Sequence, residues 1–267
     1  MVNPRPTFIE RIRLHQWVAR TGDATIDYGT LLGDGIELVV DSATLIDTAA
    51  RRVRLASASA LDYDYVVHAV GSIGTTPPSV PVAAEFAVSL AECEDAERLR
   101  ARLEELPRDA PVTVVGGGLT GIETAAELAE RGRAVTLVCG RTLAPTFSAA
   151  GRRYIATWLP RHRVAVLEGI SVSEVRQDAV VLDDASADGP ADGAVRPSAL
   201  TIWAAGFGVP DLAVESGLRT DPLGRLLTDE TLTSVDDDRG VADAIGSDLD
   251  VHQWKAELPR VHASASD

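Results

Sequence analysis

The sequence predicts an α/β fold built around a parallel sheet. Three observations lead there. A buried-type strand, a glycine-rich turn, a helix of strong helix formers and a second strand follow one another between Pro111 and Cys139. Short apolar runs of strand length alternate with helix-length segments along much of the remaining chain. The composition, 45% hydrophobic and 24% charged over 267 residues, is that of a folded protein with enough apolar matter for one large domain or two ordinary ones.

Taken in order, the chain opens as loop and then reads as a helix from Phe8 to Val18. From Gly35 to Gly71 the pattern turns to short β-type runs at Ile36–Val40, Ala43–Ile46, Arg51–Leu55 and Tyr65–Val70, punctuated by turn residues. This predicts an antiparallel meander closing on the apolar run YVVHAVGS. The Pro-rich stretch 74–81 reads as a connection. Ser89-Leu90-Ala91-Glu92 has capping-box form and opens a helix to Leu106. The βαβ unit follows, as strand Pro111–Val115, helix Leu119–Arg131, Gly132 at the position after the helix end, and strand Ala134–Cys139. A helix over Ser148–Arg161 and strands at Val164–Leu167, Val172–Arg176 and Ala179–Leu182 come next. The low-complexity stretch Asp183–Pro197 reads as an exposed hairpin tip, Ala199–Ala205 as a further apolar strand, and the residues after Asp248 as a polar tail.

Charge and residue usage exclude several function classes. Lys plus Arg total 25 against 40 Asp plus Glu, a net charge of −15, which repels nucleic acid and anionic membrane surfaces. Cys93 and Cys139 lie far apart and form no CxxC, and the five histidines (His15, His68, His162, His252, His262) form no HxxxH pattern. No metal site or disulfide framework is expected. No apolar run approaches the roughly 20 residues that span a bilayer, and the opening MVNPRPTFIERIR has no signal-peptide core. The reading is a cytoplasmic protein with no transmembrane segment.

The sharpest motif is VTVVGGGLTGIETAAELAE, residues 112–130. Gly116, Gly118 and Gly121 satisfy GxGxxG, with Gly117 extra, and the strand–turn–helix–strand context that the motif needs is present. Each glycine answers a physical demand. Gly116 permits the tight turn, Gly118 lets backbone approach a pyrophosphate, and Gly121 lets the helix pack closely on the strand. The helix N-terminus supplies N–H groups and a positive dipole end for the phosphates. A glycine-rich turn without a ligand is the bland alternative. At the end of the second strand, where an Asp or Glu usually accepts the ribose 2′-hydroxyl, the sequence has Cys139, Gly140 and Arg141. Arg141 has two readings, a partner for a 2′-phosphate or a solvated surface residue.

Four segments in order, YDYVVHAVGS (63–72), VTVVGGGLTGIETAAELAERG (112–132), LTIWAAGFGVPDLAVESGL (200–218) and LLTDETLTSV (226–235), make the chain resemble a known group. It is similar to the FAD-dependent pyridine nucleotide-disulfide oxidoreductase superfamily, in the branch of type II NADH dehydrogenases and ferroptosis-suppressor-like NAD(P)H–quinone reductases. The resemblance implies a Rossmann-like FAD/NAD(P)-binding fold, with an NAD(P) domain (80–198) inserted in an incomplete FAD domain (1–79 and 199–250) and a polar tail at 251–267. It implies hydride transfer from NAD(P)H to FAD and onward to a small-molecule electron acceptor such as a quinone. It assigns Gly116, Gly117, Gly118, Thr120, Gly121 and Glu123 to the NAD(P) site, with Cys139 and Arg141 at its ribose end and Gly206 near the nicotinamide or the domain junction. It assigns Asn3, Arg5 and Arg11 to the FAD adenosine and pyrophosphate, with a plain helix-surface role as the other reading of Arg11. Gly71 and Ser72 match a loop beside FAD, and Gly246 and Asp248 a closing motif on the ribityl chain.

The departures from the pattern carry expectations of their own. The family's FAD glycine loop precedes the position of Val2, and Asp248 stands one residue beyond the family's Asp, so the chain reads as truncated at both ends, with weak or absent FAD binding. An unpaired sheet edge left that way is expected to self-associate or to capture a partner that completes the FAD domain. The cysteine spacing does not match a dithiol relay, so a flavin would work alone. Hydride transfer needs no acid or base side chain, and no catalytic residue is assigned. The alternative function is a non-catalytic NAD(P)-binding module, or a subunit lacking its own FAD site.

Overall fold

The computed structural model describes residues 1–75, 80, 83–184, 194–236 and 240–242. The chain divides into two compact units, Met1–Ser42 with Ile73–Gly208, and Ala43–Ser72 with Val209–Asp267.

The first unit is organised by a five-stranded parallel sheet of β1 (Ala87–Ser89), β2 (Pro111–Val115), β3 (Ala134–Cys139), β4 (Val164–Glu168) and β5 (Leu200–Trp203), in the order β1-β5-β2-β3-β4. All four pairings are parallel. Parallel strands covered on both faces read as near-continuous apolar runs, and every residue of β5 and the last four of β2 are buried. Alternate residues serve opposite faces. Val112, Val114, Val135, Leu137, Leu200 and Ile202 pack under helices α1 (Leu14–Ala19), α2 (Cys93–Glu105), α3 (Leu119–Glu130) and α4 (Ala149–Arg161). Val115, Val138 and Trp203 face the other way, against Val172, Val175, Val180 and Leu182. Those residues belong to a three-stranded antiparallel sheet of Ile170–Val175, Ala179–Asp184 and Ala194–Pro197.

The helices meet the sheet on predictable terms. α2 buries Ala96, Leu99 and Leu103, and α3 buries Gly121, Ile122, Thr124, Ala125 and Leu128, the spacing of one helical face. Ser148 caps α4 by accepting the Gly151 N–H at 3.2 Å. Gly132 follows the end of α3 with its N–H on the Ala129 carbonyl, while the Arg133 N–H returns to Leu128. Two arginines bind the remaining helix ends. Arg131 Nε donates to the Ala19 carbonyl at 2.9 Å, and Arg133 Nη1 donates to Leu106 and Pro107 at 3.0 and 2.7 Å. These guanidinium groups satisfy carbonyls for which the helices have no internal donor.

Four sequence expectations need correction here. The segment from Phe8 is not one helix. Thr7–Ile9 is a strand antiparallel to Thr25–Asp27, and only after a 3₁₀ turn at Arg11–Arg13 does α1 begin. Pro4 and Pro6 hold the preceding chain extended, which favours pairing over helix. The capping box at Ser89 is not used. Ser89 ends β1, its Oγ accepts the Ala91 N–H at 3.2 Å, and α2 starts at Cys93 after an extended Glu92. Leu200–Trp203, placed by sequence on the return to the first domain, runs through the middle of the parallel sheet between β1 and β2. In the first unit only Val39–Val40 of the Ile36–Val40 run forms a strand, and it pairs parallel with Val2–Asn3.

The second unit contains the expected meander, Ala43–Asp47, Arg52–Leu55 and Ala60–Asp62, all antiparallel. The run YVVHAVGS does not close it. Val66–His68 pairs parallel with Gly240–Ala242, a partner far along the chain that no local pattern announces. Helix Leu212–Glu215 follows the unit's re-entry at Val209, and the Ile46 N–H donates to Ser216 Oγ at 2.8 Å.

Candidate nucleotide site

The glycine turn lies between β2 and α3, at the carboxyl end of the sheet, where open α/β sheets bind ligands. Gly116 has φ +137, and its N–H donates to the Val138 carbonyl at 2.9 Å. A Cβ there would stand 2.7 Å from the Ala204 carbonyl oxygen, so only glycine fits between the ends of β2 and β5. Gly117 packs over Cys139, where a Cβ would meet Sγ at 2.9 Å, and its carbonyl accepts the Ala144 N–H at 2.8 Å. Gly118 is the N-cap of α3 and carries no side-chain cap. A Cβ on it would meet nothing within 4 Å, so the backbone lies open. On Gly121 a Cβ would come within 1.9 Å of the Gly116 carbonyl oxygen. Thr120 and Glu123 lie on the first turns of α3. The Thr120 carbonyl accepts Thr124 Oγ1 at 2.6 Å, and Glu123 Oε2 stands 3.7 Å from Nδ1 of the buried His15 on α1.

The uncapped N–H groups of α3, the dipole end behind them and the open backbone at Gly118 fit a pyrophosphate. At the ribose end, Cys139 is fully buried, and burial, with the Glu168 charge adding to it, pushes its thiol up to about 11. It is a neutral wall beneath Gly117 rather than an acceptor presented to solvent. Arg141 is exposed, and among the described residues no side-chain partner holds its guanidinium. Gly206, at φ +84, sits in the turn after β5, two residues beyond the Ala204 carbonyl that underlies Gly116. The structure thus brings Gly116, Gly117, Gly118, Gly121, Cys139 and the 204–206 turn to one end of the sheet.

The residues read as flavin contacts are arranged differently. Arg5 pairs with Glu94, Nε to Oε1 at 3.0 Å, and that partner raises the guanidinium's pKa. Asn3 Oδ1 accepts the Arg5 N–H at 3.0 Å, and Arg11 Nε donates to the Ala91 carbonyl at 2.8 Å. Arg11 is half-buried as it braces that carbonyl, and burial outweighs the nearby carboxylate in lowering its pKa. Gly71, at φ +73, and Ser72 end the first segment of the second unit. Gly246 and Asp248, with the tail, lie outside the described residues. Asn3, Arg5 and Arg11 are thus each engaged by a protein group.

Sequence reasoning missed three contributors, namely Ala204, whose carbonyl forces glycine at 116, and Glu168 with Gly169, which hold the loop after β3. A carboxylate at the carboxyl end of the strand VAVLE was the available signal for Glu168. The arginine-rich cleft of about 320 Å³ lined by Arg20, Arg100, Glu104, Arg108, Arg131 and Arg133 is at the opposite end of α3. Arg131 and Arg133 brace helix ends there, and Arg20 and Arg100 pair with Glu104.

Residues 5–239 match the family described as pyridine nucleotide-disulphide oxidoreductase. The chain belongs to that family. Among curated members, it is 30% identical over 240 residues to an NADH dehydrogenase-like protein of Mycobacterium tuberculosis, covering 83% of this chain and 58% of the relative. The type II NADH:quinone oxidoreductase Ndh of the same organism is 26% identical over 229 residues, covering 72% and 48%. This pyridine nucleotide-disulphide oxidoreductase chain therefore spans about half the length of the curated relatives it matches. The structure of NDH2 from Plasmodium falciparum in complex with NADH superposes with a TM-score of 0.77 at 20% identity, over 90% of this chain and 57% of that one. The ferredoxin reductase for the CYP199A2 system of Rhodopseudomonas palustris gives 0.76 at 23%, over 90% and 60%. At these identities the superpositions show the fold alone, a Rossmann-like architecture. Among the described residues, no helix is long and apolar enough to cross a membrane, and no cluster of three or more His, Cys, Asp or Glu could hold a metal ion.

Proposed function

We propose that this chain is an FAD-dependent NAD(P)H oxidoreductase that passes reducing equivalents from the dinucleotide through flavin to a small-molecule acceptor such as a quinone. The observation that carries the reading is the glycine turn, with open backbone at Gly118 beside an uncapped helix start, walled by Gly116 and Gly121. In it the first-turn N–H groups of α3 hold the pyrophosphate, and the end of β3 receives the adenosine ribose. Cys139 puts no negative charge there and, among the described residues, no side-chain partner holds Arg141, which supports NADPH as the donor over NADH. A flavin, when bound, supplies the hydride acceptor and the route to the final oxidant. The engagement of Arg5 by Glu94 and of Arg11 by Ala91 favours a second reading, an NAD(P)-binding module or subunit without its own flavin site.

The visible spectrum of the purified chain separates the two, recorded with and without added FAD and then NADPH. A retained flavin band that bleaches with NADPH supports the oxidoreductase. A colourless protein that still quenches or shifts NADPH fluorescence supports the module. A protein that binds neither removes both readings.

A further inference from the structure

Glu168 ends β4 and is the register partner of Cys139, the last residue of β3. Registered residues of parallel neighbours put their side chains on the same face, about 5 Å apart. The carboxylate therefore stands beside the side chain from which this fold ordinarily reads the ribose. Its Oε1 accepts the Leu143 N–H at 2.9 Å. The next residue, Gly169, directs one N–H at two carbonyls, Cys139 and Arg141, each at 3.0 Å. The last residue of β3 and the loop that carries Arg141 are thus tied at three points, all from the end of β4. The charge of Glu168 also reaches the buried Cys139 thiol, where it adds to burial in favouring the protonated form.

From this geometry we infer that Glu168 is the specificity-determining residue of the ribose corner, a carboxylate supplied by the neighbouring strand. It positions the 140–144 loop and, through its charge, disfavours a 2′-phosphate that Arg141 attracts. The ligand is the adenosine ribose of a nicotinamide dinucleotide, so the inference rests on the dinucleotide site proposed above. Discrimination between a 2′-hydroxyl and a 2′-phosphate is then the balance of two side chains, Glu168 at the end of β4 and Arg141 on the loop it tethers, and not the property of the β3 terminus alone.

Two substitutions separate tether from charge. Glu168→Gln keeps an oxygen acceptor for Leu143 and removes the charge, whereas Glu168→Ala removes both. Titration of the purified chain with NADPH and with NADH at low ionic strength, followed by nicotinamide fluorescence, gives the affinity ratio, and thermal melting checks the fold. For Glu168→Gln the NADPH:NADH affinity ratio is expected to rise roughly two- to tenfold, the range of an exposed charge acting on a phosphate. For Glu168→Ala both dinucleotides are expected to bind more weakly. Glu168→Gln carries the test if the alanine variant does not fold. An unchanged ratio in Glu168→Gln, with both dinucleotides still bound, overturns the inference and leaves the site standing. A native chain that binds neither dinucleotide overturns the site and the inference with it.

Discussion

The Gly121 Cα faces the Gly116 carbonyl so closely that a methyl group on Gly121 would lie 1.9 Å from that oxygen. The third glycine of the motif is thus required by the first, five residues earlier, because the helix leaves the turn against its own backbone. Gly118 is the contrast, since nothing lies within 4 Å of the place its Cβ would take. Gly121→Ala is expected to destabilise the fold by about 1–3 kcal/mol, the cost of forced overpacking, measured by urea unfolding. Gly118→Val is expected to leave stability nearly unchanged and to abolish dinucleotide binding. Equal stability losses from both variants would remove the distinction between packing glycine and ligand-facing glycine.

Arg141 is expected to act through the 2′-phosphate. Arg141→Ala should weaken NADPH binding by about tenfold, the weight of one charge-assisted contact, while NADH changes little. Equal changes for both would return Arg141 to the role of a solvated surface residue.

His68 makes stability depend on pH. Burial in the Val66–His68 strand lowers its pKa below the ordinary 6.5, so the folded chain keeps it neutral where the unfolded chain already binds a proton. Its contribution is complete above about pH 6.5 and is lost as pH falls toward the depressed folded value. Urea melts between pH 8 and pH 5.5 should show native stability falling faster with acid than that of His68→Phe. Parallel profiles would exclude His68 as the source of the slope.

Arg133 binds the end of α2 through the carbonyls of Leu103, Leu106 and Pro107. Arg133→Ala is expected to cost about 1–3 kcal/mol, because two part-buried carbonyls and one exposed carbonyl lose a charged donor. Dinucleotide affinity should hold, since this brace lies at the far end of α3 from the glycine turn. A variant with unchanged melting temperature would show that water replaces the guanidinium without loss.

The Cys139 thiol, buried and raised to about 11, should resist a thiol reagent at pH 8 until the chain is unfolded. Thiol counting by mass spectrometry before and after denaturation checks this. Rapid native labelling of Cys139 would place it outside the wall beneath Gly117.

The central βαβ unit was legible because its information is local. Pro111–Val115 and Ala134–Cys139 are continuous apolar runs, the helix between them has one apolar face, and each glycine stands where backbone geometry demands it. The meander at Ala43–Asp62 was legible for the same reason, since antiparallel neighbours joined by short turns repeat in sequence what they pair in space. The helix expected from Phe8 failed where strand pairing with Thr25–Asp27 overrode a periodic pattern too short to decide between them.

By itself the sequence determined the class of fold, the glycine turn, the absence of a carboxylate at the end of the second strand of the unit, and the lineage carried by four ordered segments. Only the tertiary structure decided which strands are neighbours. It set Leu200–Trp203 beside Pro111–Val115, paired Val66–His68 with Gly240–Ala242, and brought Glu168 to the loop that carries Arg141. The physical reason is range. Backbone propensity and apolar periodicity act over a few residues and are written in order along the chain. Parallel pairing and side-chain tethers join residues that meet only after the crossovers have folded, and no local pattern records them.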